Sequence, residues 1–248
     1  MVIFEIWSSF AYFRKPFTTN SGLTYNFIPR STIEGLIAAI LGIDRKDRYS
    51  KLAIARIGLC ILSEIRKIPF STIHIHSDFW ITMNNYINSE PITKKSFHAR
   101  VNLELLINPR YRIYFSHPET HYNKLLETKL SNHECVYTPY LGTSTMIANF
   151  QYIDTVNFYT HEPNNDPIEL TTIIPYRINF PEVLIEKDKF YAIEQNIPSQ
   201  INEKRELISS FSSIYNPKGG TIKAKNIKFQ SFVYNRHYQG RKENFVFI

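Results

Sequence analysis

The residue pattern predicts an α+β domain of ferredoxin-like (RRM-like) order, and three observations predict it. The chain opens on a run dense in β-branched and aromatic residues, 2–13. Two helix starts of the form Ser-x-x-Glu follow, at Ser31 and Ser116, each ahead of an apolar stripe at helical spacing. Short apolar runs bounded by turn residues lie between and after these helices. Strand, helix, strands, helix, strand is the split β-α-β arrangement.

Taken in order, 2–13 reads as a buried strand and 16–26, rich in Thr, Asn, Ser and Gly, as a loop. In PRSTIEGLIAAILG, Ser31 and Glu34 form a reciprocal capping box. Ile33, Leu36, Ile37, Ile40 and Leu41 supply the buried stripe, and Gly42 supplies the stop. Runs 57–68 and 73–82 read as strands. In the second, Ile73, Ile75, Phe79 and Ile81 share one face, and His74, His76, Asp78 and Trp80 the other. The polar stretch 83–97 reads as an excursion from the sheet. Strands 99–107 and 111–115 pair across the Asn-Pro-Arg turn at 108–110. The second helix has Ser116 and Glu119 as its box, Pro118 in the first turn, and Tyr122, Leu125, Leu126 and Leu130 as its stripe. Strand-like runs then recur at 150–159, 170–178, 190–193, 223–234 and 244–248. The expected organisation is a core over 1–162 with a hairpin insertion around 83–99, and a β-rich C-terminal extension over 163–248 packed on the same domain.

The 248 residues suffice for one substantial core. No apolar run reaches the roughly 18 residues a membrane helix needs, and the opening segment lacks a basic stretch before its apolar run, so a first strand is expected instead of a signal peptide. Cys60 and Cys135 stand far apart without metal spacing, which fits reduced thiols in a cytoplasmic protein. The formal charge of +7 points to an anionic partner, with nucleic acid first. The 16 Tyr and 18 Phe are consistent with stacking on unpaired bases, although rings also build cores.

Several residue groups have the chemistry to hold RNA. Arg30, Ser31 and Thr32 place a guanidinium at a helix N-terminus, where amides and dipole favour anions and the fork of Arg30 can pair with a phosphate; the same residues fit an ordinary capped helix. Arg14 and Lys15 precede Thr18, Thr19, Asn20 and Ser21, whose polar groups can read base edges and the 2′-OH. Tyr25 and Phe27 flank that loop, either to stack or to bury. Lys94, Lys95, His98 and Arg100, with Phe97, make the densest cation run: a phosphate clamp on a projecting hairpin, or a solvated surface. Residues 234–242, YNRHYQGRK, are a further basic–aromatic cluster, and 216–220, NPKGG, is a turn without P-loop spacing. His74 with His76, and His117 with His121, share faces but lack a third ligand. They read as surface histidines, so no metal and no cofactor is expected.

Residues 10–42, FAYFRKPFTTNSGLTYNFIPRSTIEGLIAAILG, are similar to the opening of the fifth CRISPR-associated family, the RAMP-superfamily subunit at the foot of Cascade. That opening is a strand, an Arg-bearing turn, a Thr-rich loop and a Pro-x-x-x-x-x-Gly-Leu helix closed by glycine. Residues 138–150, TPYLGTSTMIANF, resemble the family's Pro-Tyr-Leu-Gly-x-Ser signature, most familiar from type I-B systems, and 107–115, INPRYRIYF, also fits. The resemblance spans about the first three-fifths of the chain. It implies a non-catalytic subunit serving antiviral defence, which binds the 5′ handle of crRNA and caps the complex. The implied partners are crRNA, the backbone subunit and the large subunit, with target DNA met only through the complex and no membrane. It also implies a β-hairpin thumb that kinks the guide near the handle–spacer junction, for which the excursion after residue 82 is the candidate. As an alternative, type I-C relatives cut precursor RNA without metal by means of a Tyr, a Lys and a His. His98 with Lys94 or Lys95 can imitate that set, though without an adjacent Lys-His pair.

Overall fold

The computed structural model describes residues 1–18, 21–75, 87, 98–176, 182–187, 189–236 and 238–248. The elements run β1 (Val2–Trp7), β2 (Phe10–Ala11), β3 (Ser21–Gly22), α1 (Arg30–Leu41), α2 (Arg45–Lys51), β4 (Arg56–Ile61), β5 (Lys67–Ile75), β6 (His98–Ile107), β7 (Arg110–Ser116) and α3 (Thr120–Ser131). Then follow β8 (Asn149–Thr155), β9 (Phe158–His161), β10 (Ile168–Leu170), β11 (Ile174–Tyr176), β12 (Glu182–Val183), β13 (Ala192–Ile201), β14 (Leu207–Tyr215), β15 (Ile222–Lys225), β16 (Phe229–Val233) and β17 (Lys242–Phe245). The molecule is a mixed α/β fold with mostly antiparallel sheets.

Its central sheet has the order β4-β7-β1-β8, all antiparallel, with α1 following β1 and α3 following β7. Strand alternation decides which side chains meet the helices. Val2, Phe4 and Ile6 point into a core shared with Ile33, Ile37 and Ile40 of α1 and Leu126 and Leu130 of α3. Ile3 points to the opposite face and joins Cys60, Tyr114 and Ile153. That second face is closed by the sheet β17-β16-β9, which contributes Phe232 and Phe245, joined by Tyr234 just beyond β16. The ribbon β13–β14, with β11 beside it, brings Ile197, Phe211 and Tyr215 onto the helix-side core. Residues from both sides of position 162 therefore share one hydrophobic cluster.

β5 and β6 pair antiparallel from Lys67 opposite Leu106 to Ile75 opposite His98, while β2 and β3 occupy the other edge of β6. Of the insertion expected around 83–99, residues 83–86 and 88–97 lie outside the described residues. The expected first strand divides, because β1 ends at Trp7 and β2 leaves the central sheet to pair with β6.

Both capping boxes are corrected by the structure. α1 has Pro29 at its N-cap, with φ −66° and ψ 151° and no side-chain cap bond, and both Ser31 and Glu34 are buried inside the helix. Glu34 turns back onto Arg30 instead of reaching an amide. α3 begins at Thr120 behind Glu119, again without a side-chain cap. Asn123 instead ties the approach, bonding both the amide and the carbonyl of His117. Gly42 does close α1, at φ 75° with its amide on the Ala38 carbonyl. Neither α2 nor β14 is foreseen by the sequence pattern. α2 buries no residue, so it carries no apolar stripe to read. No helix among the described residues is long and apolar enough to cross a membrane.

Candidate nucleic-acid interface

The structure sorts the basic residues into those the fold consumes and those it leaves open. Arg30 belongs to the first group, which corrects its expected phosphate role. Its Nε donates to Glu34 Oε1 at 3.1 Å, its Nη2 to the Ala55 and Ala53 carbonyls at 2.8 and 3.2 Å, and its Nη1 to the Ile248 carbonyl. Only 11% of the side chain is exposed. Burial pushes the Glu34 carboxyl above its usual range, against the pull of Arg30 and Arg48.

Lys15 is corrected in the same way. Its ammonium lies 2.6 Å from Glu194 Oε1 and 5.2 Å from the Tyr25 ring centre. Glu194 arrives from β13, and its second oxygen accepts the Asn26 amide. Tyr25 is 1% exposed and donates to the Asn196 carbonyl; burial, then Glu194, push its phenol up to about 12. Phe27 is buried as well. Neither ring can stack on a base. His117, expected on the surface, is buried too, with Nε2 2.8 Å from the Lys51 carbonyl oxygen and Nδ1 accepting the Glu119 amide.

Arg14 is exposed, with one long contact to the Thr18 carbonyl at 3.4 Å. Arg100 is exposed on β6 opposite Ile73, and His98 opens that strand. Thr19, Asn20, Lys94 and Lys95 lie outside the described residues. In the C-terminal cluster, Arg236 sits over the Tyr152 ring and Arg241 over that of Tyr238.

Ser31 and Thr32 line a groove of about 670 Å³. Its floor is the outer side of α1, including Gly35. α2 contributes Arg45 and Arg48, the 137–142 stretch contributes Tyr137, Tyr140 and Gly142, and the turn after β13 contributes Arg205. Local structure explains each placement. The Val136 and Tyr137 amides bond the Ile40 and Ala39 carbonyls, which pins this stretch to the end of α1. Gly142 has φ 101°, and a Cβ there would collide with the Tyr12 carbonyl, so the Tyr-Leu-Gly signature needs its glycine. A methyl group at Gly35 would come within 2.5 Å of Arg48 Nη1, so the glycine lets that guanidinium lie along the helix.

Sequence reasoning missed Arg45, Arg48, Arg205, Tyr137 and Tyr140. A usable signal existed for four of them: the basic run Arg-Lys-Asp-Arg at 45–48 directly after the helix stop, and the tyrosines in and beside the Pro-Tyr-Leu-Gly motif. Arg205 had none.

A family model described as CRISPR-associated protein (Cas_Cas5) matches residues 1–177. Among solved structures, the chain is similar to one from a CRISPR RNA-guided surveillance complex, at 12% identity over 90% of each chain with a TM-score of 0.50. It is also similar to a CRISPR protein from Archaeoglobus fulgidus, at 11% identity over 98% of this chain and 99% of that one, with a TM-score of 0.53. At such identities the likeness is one of fold. No curated protein matches the chain.

Proposed function

The chain belongs to the CRISPR-associated Cas5 family, and we propose that it is a non-catalytic, RNA-holding subunit of a Cascade-type CRISPR effector complex. In this role it grips the 5′ handle of crRNA, caps the backbone, and contacts the backbone and large subunits in the cytoplasm. Target DNA is met only through the assembled complex. The family match over residues 1–177 carries the reading, and the fold likeness to a chain of an RNA-guided surveillance complex supports it.

The order β4-β7-β1-β8 places the second, third, first and fourth core strands side by side, which we read as a ferredoxin-like RAMP body. RNA-recognition modules of this build stack bases on the open sheet face. Here that face is closed by Phe232, Tyr234 and Phe245, so a guide must pass along the rim. Exposed cations include Arg14, Arg100, Arg45 and Arg205, and the half-buried Arg48 lines the groove with the last two. The β5–β6 ribbon runs from the body toward the residues between 75 and 98, and we assign it as the base of the thumb.

Co-expression with backbone and large subunits and a repeat array tests this. The purified complex is expected to contain this chain and a guide RNA carrying the repeat-derived 5′ handle; an assembly devoid of RNA contradicts the proposal. Incubated alone with repeat RNA and chelator, the chain should leave the RNA intact. Cleavage that disappears in His98→Ala would make it a nuclease instead.

A further inference from the structure

Arg45 and Arg205, both exposed, and the half-buried Arg48 line one concavity. Lys15, Arg30, Lys67, Arg110 and Arg112 each hold a carboxylate. None of the three groove arginines has an ion pair among the described residues, and Asp44 is the one carboxylate they place on the groove wall. Arg48 Nε is buried without a hydrogen-bond partner among those residues, although its guanidinium packs over Tyr49 at 4.6 Å. Like charges gathered in a concavity, one of them with an unanswered donor, are stabilised when an anion enters. Tyr137 and Tyr140 stand beside them, 55% and 46% exposed.

Arg205 is set in place by its turn. The Asn202 amide bonds the Glu206 carbonyl, the Asn202 side chain bonds both the amide and the carboxylate of Glu206, and the Arg205 amide bonds the Asn202 carbonyl. Arg205 itself holds φ 66°, in the left-handed region that a non-glycine residue occupies only when its surroundings impose it. This residue lies beyond the part of the chain that matches the family model.

We infer that this groove seats a nucleotide step of single-stranded RNA, with its phosphate on Arg45, Arg48 and Arg205 and a base against Tyr140. The inference rests on the proposed RNA-holding role. It adds that the C-terminal extension, through Arg205, completes a site otherwise built from α1, α2 and the Tyr-Leu-Gly stretch. Aromatic faces beside forked cations fit a base and its phosphate together, whereas an acidic protein segment would use the cations alone. Thr32 offers a hydroxyl on the groove floor for a ribose.

The test uses the complex reconstituted from its subunits and labelled guide RNA, with affinity measured across a salt series. One phosphate neutralised on a single strand contributes about 0.7 to the log–log salt slope, so Arg205→Glu and Arg45→Glu/Arg48→Glu, each of which disrupts the cluster on that phosphate, should each flatten the slope by up to about 0.7. Tyr140→Ala should weaken binding at every salt concentration without changing the slope. Subunit composition should be unchanged, and circular dichroism should report folded variants. A wild-type complex that carries guide while both charge-reversed variants keep the wild-type slope would overturn the groove assignment and leave the RNA-holding role standing. Loss of a protein subunit with guide affinity intact would overturn it in favour of an acidic protein partner. A wild-type complex without RNA would overturn the role and the assignment together.

Discussion

Arg112 and Arg48 show two fates for one side chain. Arg112 sits between the central sheet and the strands that cover it, with Nη2 2.8 Å from Glu5 Oε1, and Nη1 3.2 Å from Glu243 Oε1 and 2.8 Å from the Tyr234 hydroxyl. Both carboxylates are buried, so the arginine is a fastener between the core and its C-terminal cover. Arg48 lies on a helix that buries nothing, along a glycine, with a donor left over. A surplus of positive charge therefore says little by itself about ligand binding. What matters is which cations the fold has already neutralised.

The comparison can be broken most forcefully at Arg112. Arg112→Leu leaves buried Glu5 with only the half-exposed Arg110 and buried Glu243 with only the 3.7 Å approach of Arg241 as cationic partners, and should cost about 3 kcal/mol in urea unfolding. Wild-type stability in that variant would mean the network fastens nothing. Arg30→Ala comes next, at about 2–3 kcal/mol, because it strands buried Glu34 and the Ala55 carbonyl. Whatever folds should bind guide with an unchanged salt slope, in contrast to the groove variants. Arg45→Glu should alter unfolding free energy by no more than about 0.5 kcal/mol, since α2 buries none of its residues. A large destabilisation there would move Arg45 into the structural class. The smallest effect is chemical. Burial pushes the Cys60 thiol up to about 12, while Cys135 is exposed, so a thiol-alkylating reagent at pH 8 should label Cys135 and leave Cys60 unmodified until urea is added.

The difference between these regions also marks what is readable from the sequence. Local patterns locate α1, its glycine stop, α3 and the core strands, because period and punctuation are properties of neighbouring residues. Side-chain fate is not legible in that way. Arg30 looks free at a helix start, but Ile248, 218 positions away, accepts one of its hydrogen bonds. Lys15 looks like part of a polar loop, but Glu194 meets it from 179 positions away. Tyr25 and Phe27 become core because β13 and β14 fold over them, bringing the Asn196 carbonyl and the Tyr215 ring. Arg205 joins the groove through a turn with no sequence signature, whereas Tyr140 lies inside a motif conspicuous for its family likeness and not for its ring.

Ultraviolet crosslinking of the assembled complex, followed by mass spectrometry, tests the central claim most directly. If this subunit holds the front of the guide, handle nucleotides will be found attached to it, with the peptide bearing Tyr137 and Tyr140 among the sites. Handle nucleotides attached solely to other subunits of a guide-loaded complex would contradict the account.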